Sequence, residues 1–212
     1  MPPVSFLTSL VENLANTRDR AEMLKTSYRD FHAKGLDYIN LHRSPTLTIK
    51  AYIMNDEVPV GVNVVNPHDH AYDFSTFILS GCLANVNYTF GTINRKWFHH
   101  YYKTSLEGES NIKYHGGWRD GLKEHSVEVY GPGQHYYLKA EQVHTIRAAT
   151  AGVIMLLFQY KHTEIAKERG TSLWLPSLVT PKLDGLYNRF TDETLEDALF
   201  KLDGAIKALK DR

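Results

Sequence analysis

The residues best placed to do chemistry are His68 and His70, in the run Asn66-Pro67-His68-Asp69-His70-Ala71-Tyr72-Asp73-Phe74. Side chains of an extended chain alternate between faces with a period of two. His68 and His70 therefore project from one face and Asp69 from the other. Two adjacent imidazoles are half of a metal site, because each offers a neutral nitrogen lone pair to a divalent ion. Asp69 carries suitable chemistry but points the wrong way. The pair alone would equally suit a polar strand surface, so its meaning depends on what the rest of the chain brings to it.

The elements that must position this pair are short and β-rich. Residues 46–54 (TLTIKAYIM) alternate polar and apolar side chains, and 61–65, 75–79, 82–90, 126–130, 134–138, 144–148 and 152–160 are further short, β-rich runs. Turn signals separate them: Asn55-Asp56, Ser80-Gly81, Gly131-Pro132-Gly133 and Ala151-Gly152. Many short strands with such turns predict a sandwich or barrel. Residues 91–123 are aromatic and basic and read as an insertion holding one hairpin, with His99, His100, His115 and His125 at the surface. Residues 1–40 read as helical. Ser5 caps a helix bearing Leu7, Leu10, Val11 and Leu14. Thr17 caps a second bearing Ala21, Leu24, Tyr28 and Phe31, which stops at Gly35. Residues 161–212 return to helix, where Thr191 or Asp192 caps a segment bearing Leu195, Ala198, Leu199, Leu202 and Ile206. The 212 residues suit a single domain.

The stretch from His68 through the apolar strand to Gly81 resembles the first motif of the cupin superfamily: His-x-His, a short gap, a fourth ligand, then a strand ending in Gly. The second motif is matched by Gly131-Pro132-Gly133-Gln134-His135 and the strand opened by His144, with Lys139 and Glu141 where Pro and Gly are usual. The resemblance implies a mainly β fold: one cupin barrel (double-stranded β-helix, or jelly roll) over residues 46–160, with N-terminal and C-terminal helices. It also implies a metal held by His68, His70 and His144. In cupins three or four residues separate the second His from a carboxylate ligand. Here those positions hold Phe74 and Ser75, with Asp73 one residue early. Asp73 either binds the metal or caps backbone amides in its loop, and Phe74 at the usual position favours a three-histidine site.

Within the superfamily, the HDH string resembles thiol dioxygenases of the cysteine dioxygenase type. That resemblance implies Fe(II), although imidazole also accepts Mn, Ni, Co or Zn. It implies that Arg43 anchors a substrate carboxylate. The family's Ser-His-Tyr relay is represented only by Tyr160. Tyr72 and Tyr160 are the expected catalytic groups, and Tyr88 and Gln159 are expected to contact substrate alongside Arg43.

The chain is then expected to be a mononuclear non-heme Fe(II) oxygenase taking O2 and a small polar metabolite. A redox-silent metal-dependent isomerase or lyase and a non-catalytic ligand-binding cupin are the alternatives. With 24 basic and 24 acidic residues, nothing suggests nucleic acid or an anionic membrane as partner. A single cysteine, Cys82, precludes an internal disulfide and fits a cytoplasmic protein. No apolar run reaches the roughly 18 residues that span a bilayer. A homodimer paired through barrel edges is expected.

Overall fold

The computed structural model describes residues 4–17, 19–91, 97–103, 113–162, 171–177 and 184–211. Two helices open the chain, α1 (Val4–Thr17) and α2 (Arg20–Thr26). Strands follow: β1 (Tyr28–Arg29), β2 (Leu36–Arg43), β3 (Leu47–Met54), β4 (Tyr72–Ser80), β5 (Leu83–Phe90), β6 (Trp97–Lys103), β7 (Lys113–Asp120), β8 (Leu122–Tyr130), β9 (His135–Leu138), β10 (His144–Ala148), β11 (Ile154–His162), β12 (Thr171–Leu175) and β13 (Asn188–Arg189). Helix α3 (Asp192–Lys210) ends it.

Seven strands form one antiparallel sheet in the order β13-β1-β2-β3-β11-β4-β9. Among the described residues, two three-stranded sheets, β10-β5-β8 and β12-β6-β7, make up the rest of the β structure. Alternation gives the large sheet two faces. Ile39, Ile49, Ala51, Phe77 and Leu156 pack beneath α1 and α3, against Val11, Leu195 and Leu202. Full burial of each of the larger side chains contributes about 1.5–3 kcal/mol. Tyr38, Tyr52, Phe74, Met155 and Leu157 face the other way, toward Leu83, Ile146 and Ala148 of the second sheet. The candidate site lies on this inner side.

A closed barrel was expected. Among the described residues the pairing forms three separate sheets and no closed ring. Residues 61–65 were expected to be a strand. Instead the segment makes only isolated bridges to β10, at Val60 with Ala148 and Asn63 with Arg147. Pro59 and Pro67 remove backbone donors at its ends, and Gly61 at φ +83° bends it.

The helical reading of residues 1–40 fails after Thr26. Tyr28 pairs with Tyr38 and Arg189, and β2 occupies residues 36–43. Asp30 and His32 take positive φ, which breaks any helix there. Asp19, not Thr17, caps α2, and Ser5 lies inside α1. The helical reading of 161–212 holds only for α3, where Thr191 and Thr194 form the cap, because β12 and β13 precede it. In the expected insertion, β6 pairs with β7 and with β12; residues 92–96 and 104–112 lie outside the described residues. His100 is buried rather than at the surface, and His99 stacks on Trp174 at 4.7 Å. Gly81 closes β4 at φ +66°, and a Cβ there would lie 2.9 Å from the Val153 backbone, so only glycine fits.

Candidate metal centre

The His68–His70 segment is extended but is not part of a strand; β4 begins two residues later. It is pinned on both sides. The His68 and His144 backbones exchange two hydrogen bonds of 2.9 Å, which sets the two imidazoles side by side. On the other side, Asp69 N–H donates to Ser172 O at 3.1 Å, and Ser172 N–H donates to the Asp69 carboxylate at 2.6 Å. Trp174 N–H donates to Pro67 O at 2.8 Å. Asp69 is thus buried and serves to moor the segment to β12 while the histidines face inward.

The three rings converge. Their centroids lie 4.7 Å apart for His68 and His70, 4.9 Å for His68 and His144, and 5.2 Å for His70 and His144. One nitrogen from each lies within 4.8 Å of the others. Two tautomers are set by neighbours. His68 Nδ1–H donates to Asn66 O at 2.8 Å, and His144 Nδ1–H donates to Asn85 Oδ1 at 2.8 Å. Asn85 is oriented in turn, since its Nδ2 donates to Asn87 Oδ1 at 3.0 Å and Asn87 Nδ2 donates to Ser126 Oγ at 3.1 Å. Both histidines therefore direct a bare Nε2 lone pair into the cluster, as metal-ligating histidines do. Burial, with His68 beside them, pushes His70 and His144 well below the usual imidazole range, and burial lowers His68 as well. At neutral pH all three are uncharged donors.

Whether these residues fit a divalent ion can be tested on the 3.0 Å separation of His70 Nε2 and His144 Nε2. Two nitrogens bound at about 2.1 Å lie about 3.0 Å apart as neighbours on an octahedral ion, and about 3.4 Å apart on a tetrahedral one. The spacing fits the octahedral edge. The competing account is a hydrogen bond from His70 Nε2–H to His144 Nε2, which uses two of the rings and leaves the aim of His68 unexplained. The donor set, three neutral imidazoles, suits Fe(II) and its divalent neighbours.

Of the other expected site residues, some join this cluster and others do not. The Tyr72 ring lies 5.1 Å from His70, and Phe74 lies 4.7 Å from His70 and 5.4 Å from His144. Gln159 is paired with Phe74 and Thr48 in register, which places it on the same inner face. Arg43 stands exposed at the end of β2 and donates to the Tyr38 hydroxyl at 3.4 Å. Asp73 is not brought to the histidines. It projects from the opposite face of β4, where it accepts from Ala140 N–H at 2.7 Å and from the Tyr137 hydroxyl. Tyr160 lies on that same outer side, 3.0 Å from Ser75 Oγ. Tyr88 packs with Val86, Leu122 and Trp174, and its hydroxyl meets Asn63 and Glu124. The period of two in the large sheet puts Asp73 and Tyr160 on the face opposite Tyr72 and Phe74.

Sequence reasoning missed two residues. Asn85 lies mid-strand in β5 and carries no local signal of its link to His144. Lys50 occupies a polar position of the alternating run 46–54, which reads as solvent-facing; here it is buried on the inner face, near Tyr72. A cavity of about 590 Å³ is lined by Asn85, Asn87, Tyr136 and Gln142 among others, and by none of the three histidines.

No family model matches the chain, and no curated protein matches it. Solved structures give weak likenesses. Oxalate decarboxylase from Bacillus subtilis is 14% identical over 68% of this chain and 29% of its own, with a TM-score of 0.39. Hydroxypropylphosphonic acid epoxidase from S. wedmorenis is 14% identical over 65% and 57%, with a TM-score of 0.38. A conserved protein of unknown function from Streptococcus pyogenes is 15% identical over 60% and 75%, with a TM-score of 0.37. Likeness this weak assigns neither family nor activity. The fold and site define a mainly β protein with terminal helices and a three-histidine cluster between its sheets. No helix among the described residues is long and apolar enough to cross a membrane.

Proposed function

We propose that the protein is a metal-dependent cupin enzyme, a mononuclear non-heme Fe(II) dioxygenase acting on a small polar metabolite. The observation that carries this reading is the convergence of three neutral imidazoles, two of them locked in the metal-ready tautomer, with no carboxylate among them. Bound there, Fe(II) supplies the electrons that activate O2 and a Lewis-acidic face for a substrate donor. Phe74 walls one flank of the cluster and keeps water from it. Tyr72 offers a hydroxyl beside His70. Arg43, at the open end of the inner face, has the fork geometry to grip a carboxylate with two parallel hydrogen bonds.

The neutral ligand set also favours a second reading. With no carboxylate in the cluster among the described residues, a bound ion would keep its full charge, which suits Lewis-acid catalysis by an isomerase or lyase. The test starts from protein purified without chelator or affinity metal. Elemental analysis should find about one transition-metal ion per chain. Fe(II)-loaded protein should then consume O2 with one member of a panel of small polar metabolites. Turnover without O2 uptake would select the second reading, and absence of metal after reconstitution would end both.

A further inference from the structure

We propose that Lys50 anchors an acid group of the substrate, so that the ligand of this site is a small organic acid. Its carboxylate, or an equivalent oxyanion, would sit on Lys50 while a second donor reaches the histidine face. The inference deepens the function proposed above and rests on it only for the histidine end.

Lys50 lies at the centre of the large sheet, paired with Asn40 on one side and Leu157 on the other. It is 8% exposed. Its Nζ is 3.5 Å from the Tyr72 hydroxyl and lies over two rings, 5.2 Å from the centroid of Tyr72 and 5.6 Å from that of Tyr38. No carboxylate forms an ion pair with it among the described residues. A buried ammonium without a counter-ion bears a large desolvation cost, and natural cores almost never keep one for packing alone. A leucine or methionine would fill this place better.

The second cation nearby makes the imbalance worse. Arg43 reaches the Tyr38 hydroxyl at 3.4 Å, and its charge acts against that of Lys50. It too makes no ion pair among the described residues. Among the described residues, two cations thus share one wall of the inner face with tyrosine hydroxyls and rings, and no carboxylate, as their partners. Burial, then Arg43, pushes the Lys50 ammonium down to about 7. An incoming oxyanion would offset both causes. The Tyr72 ring connects the two ends of the site, since it lies against Lys50 and 5.1 Å from His70. A ligand lying along that ring touches Lys50 at one end and the histidines at the other.

The test uses malonate, succinate and glutarate as probes, with succinamide as the uncharged control. Binding is measured by calorimetry on metal-loaded and on chelator-treated protein. At least one acid should bind the native chain and succinamide should not. Lys50→Met, which keeps the length of the side chain and drops its charge, should bind that acid at least tenfold more weakly while holding the same metal per chain. A second measurement uses the native chain alone. Succinate should slow acetylation of Lys50, mapped by mass spectrometry, and leave exposed Lys34 unchanged. Equal affinity in Lys50→Met, no acid bound by native protein, or no protection of Lys50 would overturn the proposal. If the chain takes up no metal, the metalloenzyme reading fails separately. Lys50 is then judged on the chelator-treated protein, by the same tenfold loss and the same protection.

Discussion

Replacing Lys50 with Met should stabilise the protein, by an amount that depends on pH in a defined way. Lys50 is 8% exposed, and its ammonium is pushed down to about 7 from the ordinary 10.5. At 1.36 kcal/mol per pH unit, that gap corresponds to about 5 kcal/mol held against the charged form. The Tyr72 hydroxyl and two ring faces offset part of this, so a gain of about 2–4 kcal/mol at pH 6 is expected, in line with apolar replacement of other buried charges. The pH window follows from the two protonation points. Below pH 7 both folded and unfolded chains carry the proton, and the full desolvation cost falls on the fold. Between pH 7 and 10.5 the unfolded chain holds a proton that the folded chain lacks, so native stability rises with pH across that interval. Lys50→Met has no such dependence. Its advantage should therefore be largest at pH 6 and fall by about 4 kcal/mol, to zero or below, near pH 10. Other titrating groups cancel in the difference between the two proteins. Urea unfolding of chelator-treated native and variant chains at pH 6, 8 and 10 reads this directly, provided the slope with denaturant is unchanged. A variant less stable at pH 6, or an advantage independent of pH, would refute the account of Lys50 as an uncompensated buried cation.

Other predictions concern the histidine cluster. His144→Ala should abolish stoichiometric metal binding, measured by elemental analysis, because it removes one of three donors. Asn85→Leu should keep the fold but weaken metal affinity about 10–100-fold in competition with a chromogenic chelator, since the His144 tautomer loses its acceptor. Asp73→Ala should leave one metal per chain and cost about 1–2 kcal/mol in thermal unfolding, because its oxygens serve Ala140 and Tyr137. Loss of metal in Asp73→Ala would restore it as a ligand. In the chelator-treated protein, His68, His70 and His144 stay neutral when folded but take protons near 6.5 when unfolded. Their stabilisation is present above pH 6.5 and is lost as pH falls below it, at up to about 4 kcal/mol per pH unit if all three contribute. A triple His→Asn variant should lose that acid sensitivity.

The amino-acid sequence by itself determined what is written in short periods. The alternation in 46–54 and the β-rich composition of 75–79, 82–90 and 144–148 specified strands, because side-chain direction and strand propensity are local properties. His68 and His70 shared a face for the same reason, and Gly81 was legible as a turn. Thr191 and the apolar spacing from Leu195 to Ile206 specified the last helix. Where a local pattern had two solutions, tertiary contacts chose. Residues 20–31 carry a helical spacing, yet Tyr28 is drawn into a ladder by Tyr38 and Arg189, which lie 10 and 161 positions away. The 61–65 run has strand composition, but its prolines and Gly61 leave only bridges. The site divides along the same line. Which histidines could meet was legible; which neighbours fix and surround them was not. Asn85, Lys50 and the exclusion of Asp73 and Tyr160 depend on which face of which sheet turns inward. That is decided by the burial of apolar surface over the whole chain, and no window of sequence contains it.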